Sequence, residues 1–474
     1  MSRWLALATA AYAALFGTLA VLRHHAFETG RFDLGNMVQA VSSTARGDPL
    51  AVTNLAGEQT VRLGSHFDPI LVLFAPLWLV WPSPSLLLVL QAVALALGAL
   101  PVFWLARKHL GGERTALAFA LAYLLFPATQ WLALAEFHPV ALATPLLLFA
   151  FWYLDEDRLL PFALVAVLVA ATKEQIALAV AGLGVWYAIA HRRHLAGTAI
   201  AVAGVAVTAV AVGLVMPHFG PGVESTFGGR YREVGGSFAG ILDTLFTDPL
   251  TLLRVTFDAE GIGYLARLLL PLALLPLGAP LALLPALPDL ALNLLSSTRT
   301  QTSIHHQYTA GTVPALFAAA IFAAARLQRR RPLPIAEALV AVVLASNYLL
   351  GAIPLWAAFP GGEDLGAGAW RVTEHDRIAA RALERVPGDA VVSASNSLGA
   401  HLSDRRRILS FPLLSDATWV AVDETSPGYL DRNAPELYAL AIVRLRRDRR
   451  FELVLEDDGV LLFRREQSPG AGTP

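Results

Sequence analysis

Apolar runs long enough to cross a bilayer alternate with short polar connections along most of the chain. The first runs from Trp4 to Leu22, between Arg3 and Arg23-His24-His25. It is close to the roughly 20 residues a helix needs to span the hydrocarbon, and longer than the core of a secretory leader. It therefore reads as an uncleaved first helix. Further spans are expected at Ser85–Ala106, Thr115–Leu132, Val140–Leu154, Leu159–Thr172, Gln175–Ala190, Leu195–Met216, Gly261–Leu277, Ala279–Leu295, Thr312–Ala325 and Ile335–Ile353, about eleven in all. Ile70–Trp81 is apolar but too short to span and ends in Pro82-Ser83-Pro84, so an interfacial or re-entrant helix is expected there. Leu34, Met37, Val38, Val41 and Ala45 recur at helical spacing, and Gly47 and Pro49 stop that helix. Asp33 then stands at its start.

The connections fall into two kinds. Arg107-Lys108-His109 with Arg114, Asp155–Arg158, His191–His194 and Arg326–Pro332 are short and mostly basic, which places them on the cytoplasmic side. The N-terminus is then inside, loop 23–84 outside and the C-terminus outside. The longer loops, Pro217–Glu260 with its glycine-rich Phe227–Arg232 and Ser303–Tyr308, fall on the outer side.

After Pro354 the pattern changes. Residues 370–466 read as a small soluble α/β domain. A helix is expected at Glu374–Arg385, a strand at Ala390–Ala394, a short helix through Leu402, and strands near Ile408–Phe411 and Trp419–Val422. A helix at Glu436–Arg447 and a hairpin at Glu452–Arg464 turning on Asp457-Asp458-Gly459 complete it. The division is thus a transmembrane domain over 1–355, a linker over 356–369, the outer domain over 370–466 and a disordered tail over 467–474.

Composition sharpens this. Of 474 residues, 55% are hydrophobic and 15% charged, against about 25% charged in soluble domains. The net charge of −1 offers no basic footprint for nucleic acid. With no cysteine, thiolate metal sites, disulfides and thiol catalysis are excluded. There is no phosphate loop, nucleophile elbow or dinucleotide fingerprint, so ATP-driven transport by this chain alone is not expected.

On this topology the polar outliers converge on the outer side. Asp33, His66 and Asp68 lie in the first outer loop, Glu136 and His138 at the end of a span, Lys173 and Glu174 at the end of another. Arg230, Arg232, His305, His306 and Tyr308 lie in later loops. Each has a plain structural alternative. Asp33 reads equally as a helix N-cap, His66-Phe67-Asp68 as turn chemistry, Lys173-Glu174 as an interfacial ion pair, and Glu136 and His138 as partners of loop backbone. Together they point to a shared outer cavity. His66, Asp68, Glu136, His138 and His305 are ligand types that suit zinc or manganese, but no local ligand spacing supports a metal and no cofactor is expected.

Phe32-Asp33-Leu34-Gly35, Ser65-His66-Phe67-Asp68-Pro69, Leu90-Gln91, Glu136-Phe137-His138-Pro139 and Thr172-Lys173-Glu174 resemble a bacterial and archaeal family of polytopic membrane proteins of unknown function. That family looks like a branch of the GT-C superfamily, membrane glycosyltransferases that use polyprenyl-phosphate sugars. The resemblance implies an all-α GT-C-like membrane fold in the plasma membrane, with Asp33 matching the acidic catalytic base of the first outer loop. Thr172-Lys173 resembles the threonine-lysine step of aminoarabinose-type transferases, where the lysine faces the lipid phosphate; Glu174 is a departure from that pattern. The implied partners are a polyprenyl-phosphate-linked sugar, membrane lipid, and an envelope glycan, lipid or protein acceptor. Two rival classes fit the same polar face: a lipid or solute transporter or flippase, and a non-catalytic envelope assembly protein.

Overall fold

The computed structural model describes residues 3–220, 229–331, 333–362 and 369–466. The expected tail, part of the linker and Phe227-Gly228 lie outside the described residues. The chain forms two compact units. One comprises Met1–Thr18, Leu63–Ile70 and Val89–Ala367; the other comprises Leu19–Arg62, Leu71–Leu88 and Gly368–Pro474.

The first unit is helical. Among the described residues, three helices are long and apolar enough to cross a membrane: Arg3–His25, Pro84–Leu110 and His194–Phe219. Glu113–Leu125 and Pro127–Leu134 make a fourth if counted as one span bent by 45°. The bend falls at Pro127, which has no N–H to continue the ladder. Six further apolar helices are 10–17 residues long, among them Pro139–Asp155, Leu159–Ala170, Ala177–Ala190 and Ile335–Leu350. The expected spans at 261–277 and 279–295 are not continuous helices. Helix Ala259–Leu269 gives way to 3-10 turns at Leu270–Leu272, Leu275–Gly278 and Pro280–Ala286 before helix Leu287–Leu294. Prolines at 271, 276, 280 and 285 remove the donors an α-helix would need there.

Helices Ala177–Ala190 and His194–Val210 meet along glycines. A Cβ on Gly184 would lie 2.5 Å from Ala201 N, one on Gly197 2.6 Å from Ala188 N, and one on Gly204 2.5 Å from Ala177 O. Small residues let the backbones approach this closely, as in membrane helix pairs generally.

The second unit centres on a five-stranded sheet. Its strands are β3 (Val392–Ala394), β4 (Ile408–Ser410), β5 (Trp419–Asp423), β6 (Phe451–Asp457) and β7 (Val460–Arg465), in the order β4-β3-β5-β7-β6. β3 runs parallel to β4 and β5, while β5–β7 and β6–β7 are antiparallel. Alternation along β5 sends Val420 and Val422 to one face, with Tyr438, Ile442 and Leu445 of helix Pro435–Arg447. Ala421 goes to the other face, with Ala379, Ala382 and Leu383 of helix Glu374–Leu383 and with Phe27. Thr373 and Asp376 cap that helix reciprocally. The β6–β7 turn has positive φ at Asp458 (47°) and Gly459 (82°), as a two-residue hairpin turn requires.

A two-stranded hairpin in the same unit, β1 (Ala51–Thr53) and β2 (Gln59–Val61), was not anticipated. Gln39 and Arg31 bind it to the sheet edge. Gln39 Nε2 donates to Thr53 Oγ1 (3.0 Å) and to Arg406 O (3.0 Å). Arg31 donates to Thr53 O (2.8 Å), Ile408 O (2.7 Å) and Ser410 Oγ (2.7 Å).

Candidate active site

Asp33 lies in a π-helical turn, Arg31–Gly35, that runs into helix Asn36–Ala45. The caps of these two segments are Gly30 and Gly35, so the N-cap role considered for Asp33 is not the one it fills. Its half-buried carboxylate accepts a hydrogen bond from the Tyr429 hydroxyl. The surroundings are closely fitted. A Cβ on Gly30 would stand 2.9 Å from Tyr429 Cε1, and Phe32 N donates to Asn396 Oδ1 at 3.1 Å. Asp431 braces the same loop by accepting from Asn396 N (2.9 Å) and Gly428 N (3.1 Å).

In the other unit, segment Gly64–Ile70 lies against the turn that joins helices Leu159–Ala170 and Ala177–Ala190. Ile70 N donates to Ala171 O at 3.0 Å, and Gly64 abuts the backbone of Phe219, where a Cβ would approach to 2.6 Å. This brings His66 to Glu174. The ring Nδ1 lies 3.0 Å from Oε1, while Phe67 N donates to Oε2 at 3.0 Å. Burial alone would raise the Glu174 carboxyl. The His66 ring, and after it the Lys173 ammonium, hold it instead at about 2, below the ordinary carboxylate value.

Lys173 itself is half-buried and makes no ion pair with any described residue. Its charge is felt by two carboxylates, those of Glu174 and Asp289. Asp289 was not among the residues expected from sequence. It is buried on helix Leu287–Leu294, accepts from Gly311 N at 3.0 Å and has the Gln175 side chain beside it. One turn on, Asn293 Nδ2 donates to Tyr264 OH (3.0 Å) and Tyr308 O (2.8 Å). Two signals in the sequence could have pointed here. Asp289 is the one charged residue between Arg267 and Arg299 in an apolar stretch, and such residues are expensive in a membrane. Only two of the 36 Lys and Arg residues are lysines, Lys108 and Lys173.

The Glu136–His138 turn is built from below. The fully buried Gln91 amide donates to Leu132 O and Glu136 O and accepts from His138 N at 2.9 Å, so the Leu90-Gln91 step is a structural brace. Glu136 takes positive φ (55°), and His138 Nδ1 lies 2.7 Å from Ala135 O, which makes that nitrogen the protonated one. His305 stands edge-on to Trp131 (4.4 Å between ring centres), and His306 lies 6.4 Å from the Tyr308 ring. Arg230 is tied through its carbonyl to Ser297 N (2.8 Å); Arg232 is exposed on a short 3-10 turn. Asp68 is buried.

Of the expected residues, the first unit therefore joins His66 to Glu174 and sets Lys173 beside them, and the second places Asp33 with Tyr429. Among the described residues no group of three His, Asp or Glu side chains is arranged to hold a metal ion. Along helices Ala177–Ala190 and His194–Val210 lies an apolar groove of about 770 Å³, lined by Leu178, Val185, Val202, Leu284 and Pro288 among others.

Residues 23–462 match a family described as "Predicted membrane protein (DUF2079)". The chain belongs to this family. Among solved structures, this DUF2079 chain is similar to ArnT from Cupriavidus metallidurans bound to undecaprenyl phosphate. The TM-score is 0.53 at 13% identity, over 99% of this chain and 99% of that one. An Archaeoglobus fulgidus oligosaccharyltransferase, tethered through a disulfide bond to an acceptor peptide containing the NVT sequon, aligns at TM-score 0.45 and 13% identity, over 98% of this chain and 74% of that one. No curated protein matches the sequence. The GT-C-like membrane architecture expected for this DUF2079 chain, with a small C-terminal α/β domain, is the one it has.

Proposed function

We propose that this chain is a membrane glycosyltransferase that moves a sugar from a polyprenyl-phosphate donor to an acceptor on the non-cytoplasmic side of the plasma membrane. The acceptor hydroxyl attacks the anomeric carbon with inversion as Asp33 takes its proton, and the bond to the phosphate breaks. Polyprenyl phosphate leaves, and Lys173 with Arg230 or Arg232 offsets the charge gathering on it. The apolar groove lined by Leu178, Val185 and Leu284 is of a kind to take part of the isoprenoid chain.

The observation that carries this reading is the state of Lys173. The adjacent Glu174 departs from the threonine-lysine pattern and would ordinarily neutralise a lysine beside it. Its two oxygens are instead taken by His66 and by Phe67 N, which leaves the ammonium without an ion pair among the described residues. An uncommitted cation at the end of an apolar helix suits a lipid phosphate. The Asp33 carboxylate accepts a hydrogen bond from the Tyr429 hydroxyl, which fixes its orientation.

The test is a comparison of glycolipids and envelope glycans in a deletion strain carrying either the native chain or Asp33→Asn. The native chain should restore a missing glycan and the Asn variant, equally abundant in the membrane, should not. Restoration by Asp33→Asn removes the assignment. A second reading, a lipid transporter, draws on the broken run Leu270–Ala286, since interrupted membrane helices can line a pathway. Purified protein in liposomes that moves polyprenyl phosphate between leaflets without forming a glycosyl product would favour it.

A further inference from the structure

We infer that His66 is a positioning residue whose task is to hold Glu174 off Lys173 and so keep the lysine available to an anionic ligand. This rests on the reading of Lys173 as the cation that meets the lipid phosphate.

Lys173 directly precedes Glu174 and makes an ion pair with neither Glu174 nor Asp289. An ammonium half out of water next to a carboxylate gains by pairing with it unless that carboxylate is better satisfied elsewhere. Both are. Glu174 Oε1 faces His66 Nδ1 and Oε2 faces Phe67 N, each at 3.0 Å. Asp289 Oδ2 takes Gly311 N at 3.0 Å. The Glu174 carbonyl is also held, by Thr208 Oγ1 at 3.0 Å, which fixes the backbone from which its side chain departs.

The sequence supplies these diverting donors from far along the chain. Segment Gly64–Ile70 is pinned at both ends, by the Phe219 backbone and by Ala171 O, so the His66-Phe67 step reaches Glu174 without a long flexible arm. Lys173 and Glu174 lie in the non-helical connection 171–176, where adjacent side chains are not held about 100° apart as they are on a helix. Removing the imidazole frees one carboxylate oxygen, and the cation beside it in the chain is Lys173. The Gly-Ser-His-Phe-Asp-Pro stretch thereby gains a purpose other than catalysis or metal binding.

Two measurements on the full chain in detergent test this. The first is reductive methylation of Lys173 by formaldehyde and a borohydride reductant, followed by mass spectrometry, with Lys108 as internal reference. The second is binding of undecaprenyl phosphate in mixed micelles. His66→Ala should slow Lys173 labelling and weaken binding roughly tenfold, which corresponds to about 1.4 kcal/mol. The double variant His66→Ala/Glu174→Gln should recover both, because the released side chain no longer carries charge. Lys173→Met should lose binding outright. Thermal unfolding of each variant separates lost fold from lost ligand, and recovery in the double variant is something a purely structural histidine would not produce. If Lys173→Met binds as the native chain does, the phosphate reading falls and takes this inference with it. If Lys173→Met loses binding while His66→Ala labels and binds normally, the phosphate reading stands and the inference alone is overturned. A His66→Ala loss that the double variant leaves uncorrected in a folded protein overturns it too.

Discussion

Replacing Arg31 with methionine should loosen the junction between the β1–β2 hairpin and the β4 edge while leaving the side-chain stem in place. Arg31 is 3% exposed, and its guanidinium makes three hydrogen bonds of 2.7–2.8 Å, to Ser410 Oγ, Thr53 O and Ile408 O. Hydrogen bonds from a charged donor contribute about 1.5–3 kcal/mol each. Burial pushes the Arg31 guanidinium down to about 10. Those bond values are already net of desolvation, so the loss is set by the two buried carbonyls the variant strands, at about 1–3 kcal/mol each, or about 3 kcal/mol together. Lysine would not substitute, since its point charge cannot reach three acceptors arranged for a planar fork. The assay is hydrogen exchange read by mass spectrometry over residues 49–62 and 405–411. A 3 kcal/mol loss of local opening free energy should speed exchange there by about 100-fold. Exchange within threefold of the native chain in both segments would refute the reasoning.

Three other outcomes are expected. Asp155 gathers Lys108 Nζ (2.8 Å) and His109 Nε2 (2.8 Å), with His191 Nε2 at 3.6 Å, onto a carboxylate 4% exposed; Asp155→Asn should cost about 3 kcal/mol and lower the detergent melting temperature. Gln91→Ala removes the brace under the Glu136–His138 turn and should cost about 2 kcal/mol and raise proteolytic sensitivity near residue 136, with the Pro84–Leu110 helix still formed. His375 lies between Asp423 (2.8 Å) and Asp458 (3.0 Å); burial alone would lower its pKa, but the two carboxylates raise it above the ordinary histidine value. Its stabilisation is then full below about pH 6.5 and lost as pH rises through the raised value. The protection that His375→Asn loses at the 457–459 turn should accordingly be larger at pH 6 than at pH 9.

The C-terminal domain was the most legible part of the chain, because its strands alternate and its turns carry their own chemistry. The helix expected at Glu436–Arg447 is Pro435–Arg447, and the hairpin turns on Asp457-Asp458-Gly459 as its φ angles demand. The long spans at 85–106 and 195–216 were readable from hydropathy alone. The stretch 261–295 was not, since apolar content says nothing about where successive prolines stop a helix. The β1–β2 hairpin was missed because its strands are three residues each and are held by Arg31 and Gln39 rather than by their own pattern. Among site residues, Lys173, Glu174 and His66 stood out as types, but that Glu174 turns to His66 rather than to its neighbour follows from a contact 108 positions away. Asp289 is hard to single out because it sits inside a greasy run rather than in a polar loop.

The glycine seam of helices Ala177–Ala190 and His194–Val210 bears on how the chain enters the bilayer. Only 17% of the His194–Phe219 window is buried within the chain, so most of its apolar circumference is left uncovered by the described residues. What docks it is a strip where main chains touch, at Gly184, Gly197 and Gly204. Such a strip exists only once both partners are present, and three residues link them. The two helices should therefore leave the insertion machinery as one hairpin, and a methyl group added at Gly204 should trap the second helix as a lone, undocked span during biogenesis.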